Sequence, residues 1–414
     1  MPAWLTGFAA RTHPAETVAQ DLWAKVLAVE DAKGSRFVVV TADLIGFTRE
    51  ITDEIAARAQ RKYKLERRQI LFNASHTHSG PSVWPRLHVV RDSGADVQRE
   101  LKSYADKLIE NIDEAIGRAL ETLQPARLEF TMGQAGFAMN RRIEHLAAIR
   151  PGQTFPGPSD PSVPVLRVLS SEGKPMAIVF GYACHNTVLT AEFYEVSGDY
   201  AGHAQLAIER MYPGSTAMFI MLCAGDQRAN PRSKRELARE HGETLAKAVS
   251  ETPPAKQIGG LLQYAYEVTT LPFQAHSREV YLAESQSADP FLARRGRLML
   301  QALDSHKPVV STPYPVQAVR FGDGPAWVAL GGEVVIDYQL RLKSEFGPNR
   351  LVVLGYSNDV MSYIPSRRVQ REGGYEAGDS MMYFSQPGWF TEEVEEIVLG
   401  TARRVLSAIG FNPK

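Results

Sequence analysis

The residues best suited to chemistry lie in Asn73-Ala74-Ser75-His76-Thr77-His78-Ser79-Gly80-Pro81, an alternating histidine pair closing the apolar run Ile70-Leu71-Phe72. In an extended chain alternate side chains share a side, so His76 and His78 can share a metal ion or divide ligation and proton transfer between them. His185 stands in Gly181-Tyr182-Ala183-Cys184-His185-Asn186-Thr187, again where an apolar run ends. A carboxylate comes later in Leu330-Gly331-Gly332-Glu333-Val334-Val335, where two glycines permit close backbone approach and Glu333 is expected to open a helix running to Lys343. Two imidazoles and a carboxylate suit a hydrolytic zinc ion, Zn2+, which keeps a position open for water. Paired C-x-x-C motifs and H-E-x-x-H are both absent, which excludes a four-cysteine structural site and the common zincin geometry. Each residue also has a plain structural use: surface histidines beside a turn, a satisfied core histidine, a helix-opening glutamate.

Such groups need rigid elements to aim them, and one grammar recurs: a β-branched apolar run, a polar turn, then an amphipathic helix. Strands are expected at Phe37–Ala42, Gln69–Ala74, Met176–Ala183, Ala217–Leu222, Trp327–Leu330 and Leu351–Leu354. The residues after these runs are polar: Asp43, His76 with His78, His185, Asp226, Glu333 and Asn358. Apolar residues at three-to-four spacing predict helices at Arg49–Tyr63, Val97–Leu123, Lys234–Val249, Phe291–Leu303 and Phe390–Ile409. Val165–Leu169 and Met176–Phe180, joined around Ser171-Glu172-Gly173-Lys174, read as an antiparallel hairpin, so the sheets are expected to be mixed. Arg150–Pro164 and Ser305–Pro315 read as long loops. The expected fold class is α/β, mixed β-sheets flanked by helices, with residues 1–414 as a single domain.

Composition narrows the function. With 46 basic against 47 acidic residues the formal net charge is −1, and no basic run offers a footprint for nucleic acid or anionic lipid; a small-molecule substrate is the expected partner. The start, Met1-Pro2-Ala3-Trp4-Leu5-Thr6-Gly7-Phe8, lacks the basic and apolar regions of a secretory signal, and no run approaches the ~18 apolar residues of a membrane span, so a cytoplasmic location is expected. Cys184 and Cys223 sit in apolar segments and are expected to be buried free thiols.

The combination His76-Thr77-His78-Ser79-Gly80-Pro81, a strand ending in His185, Gly225-Asp226, Gly332-Glu333 and Tyr363 with Tyr375 resembles the neutral/alkaline, non-lysosomal ceramidases, in their catalytic N-terminal domain, over about residues 5 to 376. The resemblance implies zinc held by His76, His185, Glu333 and Tyr363, with His78 as the proton shuttle. It also implies that Tyr375, twelve positions after Tyr363, polarises the substrate carbonyl together with an Asn-Arg pair. Asn140-Arg141 fits that pair, with Arg142 a near alternative for the arginine. Composition alone would assign both tyrosines to packing. The implied activity is zinc-dependent hydrolysis of an amide (N-acyl) bond. Two departures stand out. With the sequence ending at Lys414, no C-terminal immunoglobulin-like domain like the family's is expected, and the segment Gly225-Asp226-Gln227-Arg228-Ala229-Asn230-Pro231 differs from the usual serine- and proline-containing one.

Asp43 and Asp226 are candidates to accept the second N–H of the ligand imidazoles; capping a helix is the other use of each. Trp84, Phe155, Trp389 and Phe390 are candidates to line a substrate pocket. A Ser-His-Asp triad through Ser79 or Ser197 lacks the expected G-x-S-x-G elbow. Two other functions remain open to this residue set: a zinc enzyme of the same fold acting on an ester, an N-acyl amino sugar or another carbohydrate derivative, and a non-catalytic zinc-binding protein.

Overall fold

A computed structural model of the chain describes residues 3–85, 94–152 and 157–413. Three sheets form its centre. The first orders Ala24–Glu30, Arg36–Ala42 and Ile70–Ala74; the second orders Thr216–Met221, Pro175–Tyr182, Ser162–Ser170, Ala126–Gln134 and Lys256–Ile258; the third orders Leu262–Pro272, Ser311–Phe321, Ala326–Leu330 and Leu351–Leu354. All three mix parallel and antiparallel pairs, as expected.

Alternation along the strands explains the layering. Phe37, Val39 and Leu71 of the first sheet, with Val179, Met218 and Ile220 of the second, meet Val319, Phe321, Trp327 and Val352 of the third in one apolar layer. Their neighbours Val38, Val40, Phe72, Phe180 and Phe219 face the opposite way, against helices Arg49–Tyr63, Ala95–Glu121, Asp199–Met211 and Arg235–Ser250. Across the molecule Val316, Ala318, Val328 and Val353 pack on helices Ile336–Phe346 and Val394–Ala408. The result is helix, sheet, sheet, helix. Strands buried on both faces must be apolar throughout, which is why their sequences read as unbroken runs.

A buried asparagine joins the sheets at the end that carries the motifs. Asn73 Nδ2 donates to the carbonyls of Met221 at 3.2 Å and Gly355 at 2.9 Å, while its Oδ1 accepts from Met221 N at 2.7 Å. Asparagine is a poor strand former. Here its amide adds to the isolated backbone bridges, Asn73 with Ser357 and Leu222 with Leu354, that join the ends of strands from different sheets.

The expected helix Arg49–Tyr63 and strand Leu351–Leu354 occur with those bounds, and the expected hairpin pairs Val165 with Phe180. Three expectations are corrected. Glu333 does not open a helix: Glu333–Val334 pairs in parallel with Tyr363–Ile364, and the helix starts at Ile336. The last helix begins at Val394, because Phe390 is extended and stacks on Phe273 with ring centroids 4.7 Å apart. Within Ser305–Pro315 a strand already starts at Ser311; Pro313 and Pro315 are tolerated because there the strand pairs on one side only, the second partner joining from Val316. Among the described residues no helix is long and apolar enough to cross a membrane, and both cysteines are free and buried.

Candidate metal centre

His76 follows strand Ile70–Ala74 and is held at φ 59°, a left-handed conformation uncommon for a residue with a side chain. Its Nδ1–H donates to the Ile45 carbonyl at 2.6 Å. His185 follows strand Pro175–Tyr182 and donates Nδ1–H to the Ala224 carbonyl, also at 2.6 Å. A carbonyl can only accept, so both tautomers are fixed, with the Nε2 lone pairs facing inward.

Those lone pairs meet an acceptor. Glu333 Oε2 lies 3.2 Å from His76 Nε2 and 3.2 Å from His185 Nε2, and it has no hydrogen-bond donor. Gly332 makes this approach possible: at φ +76°, an added Cβ would sit 2.6 Å from Ile364 Cγ1 and 2.8 Å from the Ser362 carbonyl. Tyr363, partnered with Glu333 in the two-stranded ladder, brings its hydroxyl to 3.3 Å from His185 Nε2. His78 Nε2 lies 3.1 Å from His76 Nε2, and the ligand nitrogens of His76, His78 and His185 all fall within 4.8 Å of one another, a grouping able to hold a metal ion.

The electrostatics agree. Burial lowers the pKa of His185 to about 4, helped by the positive charge of Arg141, and lowers that of His78 well below 6.5, helped by the neighbouring His76 and His185. With both ring N–H groups spent on backbone carbonyls, two inward-facing imidazole nitrogens, a carboxylate and a phenol converge with too few protons between them. Acceptors packed against acceptors repel unless a cation lies among them, so the donor set fits a divalent metal.

Arg141 reaches the same place. Its Nη2 donates to Tyr363 Oη at 3.0 Å, and its guanidinium carbon lies 5.6 Å from the Tyr363 ring centroid and 5.7 Å from that of Tyr375. Arg142 is turned away, fully buried and bonded to Glu372, Glu376 and the Gly373 carbonyl. Of the two candidate arginines, Arg141 is the one at the centre. Tyr375 sits edge-on to Tyr363 at 5.3 Å and is 40% exposed, so it forms the rim.

Asp43, Asp226 and Asn140 do not touch the imidazoles, and the expectation that the two aspartates accept the second imidazole N–H is corrected: backbone carbonyls already occupy both Nδ1–H groups. Asp43 accepts from Trp23 N at 3.1 Å and Gln205 Nε2 at 3.3 Å. Asp226 accepts from Ile336 N at 2.9 Å and Asn140 Nδ2 at 2.7 Å, so it links the segment after Glu333 to the segment before Arg141. Asn140 Oδ1 in turn accepts from Arg142 N at 3.1 Å. Neither serine candidate pairs with histidine: Ser197 Oγ bonds Gln20 at 2.9 Å and Ser79 Oγ has no partner among the described residues. Phe390 is core, Trp84 and Trp389 are partly buried against core residues, and Phe155 lies outside the described residues.

Four contributors carried no assigned role in the sequence. The Tyr356 ring packs 4.4 Å from that of His76, and the Phe8 ring 4.7 Å from that of His78. Arg11 is buried and donates to the carbonyls of His78 and of Thr6, fastening the N-terminal segment over His78. Glu376 pairs with both Arg141 and Arg142. No periodicity marks the N-terminal segment, and only adjacency to Tyr375 could have drawn attention to Glu376.

Fold and centre together define an α/β protein with a buried His/Glu/Tyr cluster at the joint of its sheets, whose three histidines are grouped closely enough to hold a metal ion. Residues 2–233 match the family described as neutral/alkaline non-lysosomal ceramidase, N-terminal, and the chain belongs to that family. It is 24% identical to the neutral ceramidase of Pseudomonas aeruginosa across 87% of its own length, and spans 64% of the length of that relative. The crystal structure of neutral ceramidase from Pseudomonas aeruginosa superposes with a TM-score of 0.75 at 19% identity, covering 99% of this chain and 72% of that one. A structure of a ceramidase complexed with C2 gives 0.77 at 18% identity with the same coverage. At these identities the superpositions establish the fold.

Proposed function

We propose that this chain is a zinc-dependent hydrolase that cleaves the amide bond of an N-acyl compound, with His76, His185, Glu333 and Tyr363 holding the ion. The observation that carries this reading is the approach of two inward-facing imidazole nitrogens to one donorless carboxylate oxygen at 3.2 Å each. When bound, zinc would polarise the substrate carbonyl and lower the pKa of water from 15.7 to about 7. The remaining work falls to protein groups. His78, neutral because it is buried, takes up the proton of the attacking water and delivers it to the departing amine nitrogen. Arg141, kept cationic beside Glu376, and Tyr375 on the rim donate hydrogen bonds to the oxygen that gains charge as the carbonyl is attacked.

Membership of a ceramidase family supports a lipid amide as the substrate class. The test is an assay of purified, zinc-loaded protein on N-acyl amides of graded chain length. Rising kcat/KM with acyl length supports a ceramide-like substrate. Preference for a short acyl chain, an ester or an N-acyl amino sugar keeps the centre and changes the substrate. Acyl release from none of them, with zinc bound stoichiometrically, overturns the hydrolase reading in favour of a non-catalytic zinc protein.

A second arrangement, with His78 as a third nitrogen ligand, is supported by the mutual closeness of the three histidines. Metal content of His78→Ala separates the two.

A further inference from the structure

Glu376 takes no part in the reaction proposed above, yet its carboxylate is buried and gripped from two sides. Oε1 accepts from Arg141 Nε at 2.7 Å and Oε2 from Arg142 Nη1 at 2.6 Å. The two arginines are adjacent in sequence and unlike in commitment. Arg142 is fully buried and spends its other donors on Glu372 at 3.0 Å and the Gly373 carbonyl at 2.8 Å, so it anchors Glu376. Arg141 is a quarter or less exposed, and its Nη2 edge is turned to Tyr363.

A guanidinium is a rigid planar fork, so fixing its Nε–H by a carboxylate fixes the direction of the Nη edge as well. The carboxylate that does so comes directly after Tyr375 in the chain: Tyr375 forms the rim over Tyr363 while Glu376 faces the back of Arg141. A continuous line results, from Arg142 through Glu376 and Arg141 to Tyr363 and on to His185 at 3.3 Å. From this geometry we infer that Glu376 is a positioning residue, which locks the Arg141 guanidinium edge-on to the centre and sets the distance between Arg141 and Tyr363. The inference rests on the function proposed above only for its catalytic consequence; the geometric consequence stands alone.

The experiment compares Glu376→Gln with Glu372→Gln. The second variant removes a carboxylate from Arg142 and Arg368 without touching Arg141, and so reports the loss of stability alone. In Glu376→Gln, kcat is expected to fall about 10²-fold, with KM changed less than about threefold and zinc per chain unchanged; Glu372→Gln is expected to keep kcat within about threefold while melting earlier. A crystal structure of Glu376→Gln should show Arg141 Nη2 withdrawn from Tyr363. Should that variant not fold, Glu376→Asp, which keeps the charge but shortens the reach, is read in the same way. Equal kcat losses in the two variants, or an Arg141 to Tyr363 contact retained at 3.0 Å, overturn the inference. If the parent protein hydrolyses no acyl substrate, the proposed function fails and the structural comparison still decides the role of Glu376.

Discussion

Glu333 and Tyr363 are direct partners in a two-residue parallel ladder, so their side chains leave the backbone at one level. Neither residue belongs to a main sheet. Their common level places a carboxylate and a phenol beside the histidines delivered by two other strands, and their separation is set by hydrogen-bond register rather than by a flexible loop.

Removing a histidine should separate ligation from proton transfer. His76→Ala and His185→Ala are expected to lose both bound zinc, measured by elemental mass spectrometry, and acyl release. His78→Ala should retain zinc and lose about 10²- to 10⁴-fold in kcat. Zinc loss in His78→Ala would instead make it a ligand, and unchanged turnover would remove it from the reaction.

The contribution of His185 to the stability of the metal-free protein should fall in mild acid. Burial depresses the His185 pKa from 6.5 to about 4, so the unfolded chain binds more protons than the folded one between those values. The contribution is complete above about pH 6.5 and is lost as pH falls towards 4, a change on the order of 3 kcal/mol. Asp199 opposes it, because burial raises its pKa to about 7 and favours the folded state at low pH. Urea titrations of the parent and His185→Gln isolate the histidine: their stability difference should narrow as pH drops from 6.5 to 4. A difference independent of pH would refute the assignment.

Asn73→Ala should be among the costliest single changes in the chain. It leaves the Met221 amide and carbonyl without their side-chain partner where three sheets meet, while the Gly355 carbonyl keeps only the Ser357 hydroxyl. At roughly 1–3 kcal/mol for an unsatisfied buried group, a loss of about 4 kcal/mol is expected by chemical denaturation. A loss under about 1 kcal/mol would mean that the joint relaxes or admits water.

Gly7→Ala tests the cover over His78. Gly7 has φ +96°, and an added Cβ would lie 2.4 Å from His78 Nδ1, so either the N-terminal segment or the imidazole must move. Zinc content should be unchanged while kcat falls at least about tenfold. Parent-like kinetics would show that the segment yields freely.

The elements were legible in the sequence wherever one physical signal dominated. Arg49–Tyr63 has a clear apolar stripe, and Leu351–Leu354 is short, apolar and bounded by polar residues. Glu333 misled because a carboxylate before Val-Val-Ile is as suitable for opening a helix as for starting a short strand, and only the distant Tyr363–Ile364 segment decides between them. Asp43 and Asp226 misled for a related reason. Their nearness to the histidines in the strand grammar is real, but the N–H groups were taken by carbonyls of Ile45 and Ala224, and backbone acceptors leave no trace in residue type. The choice between Arg141 and Arg142 likewise depended on which guanidinium Glu372 and Gly373 tie down.

The site's dispersal along the chain has a temporal consequence. His185 and Tyr363 are 178 residues apart, and His76 comes earlier still. During synthesis both imidazoles therefore leave the ribosome long before the carboxylate and phenol that complete their surroundings. Because N-terminal portions emerge and begin to organise first, the nascent protein passes through a stage in which both histidines are present without the groups that enclose them, and the cluster is complete only once Tyr363 has emerged.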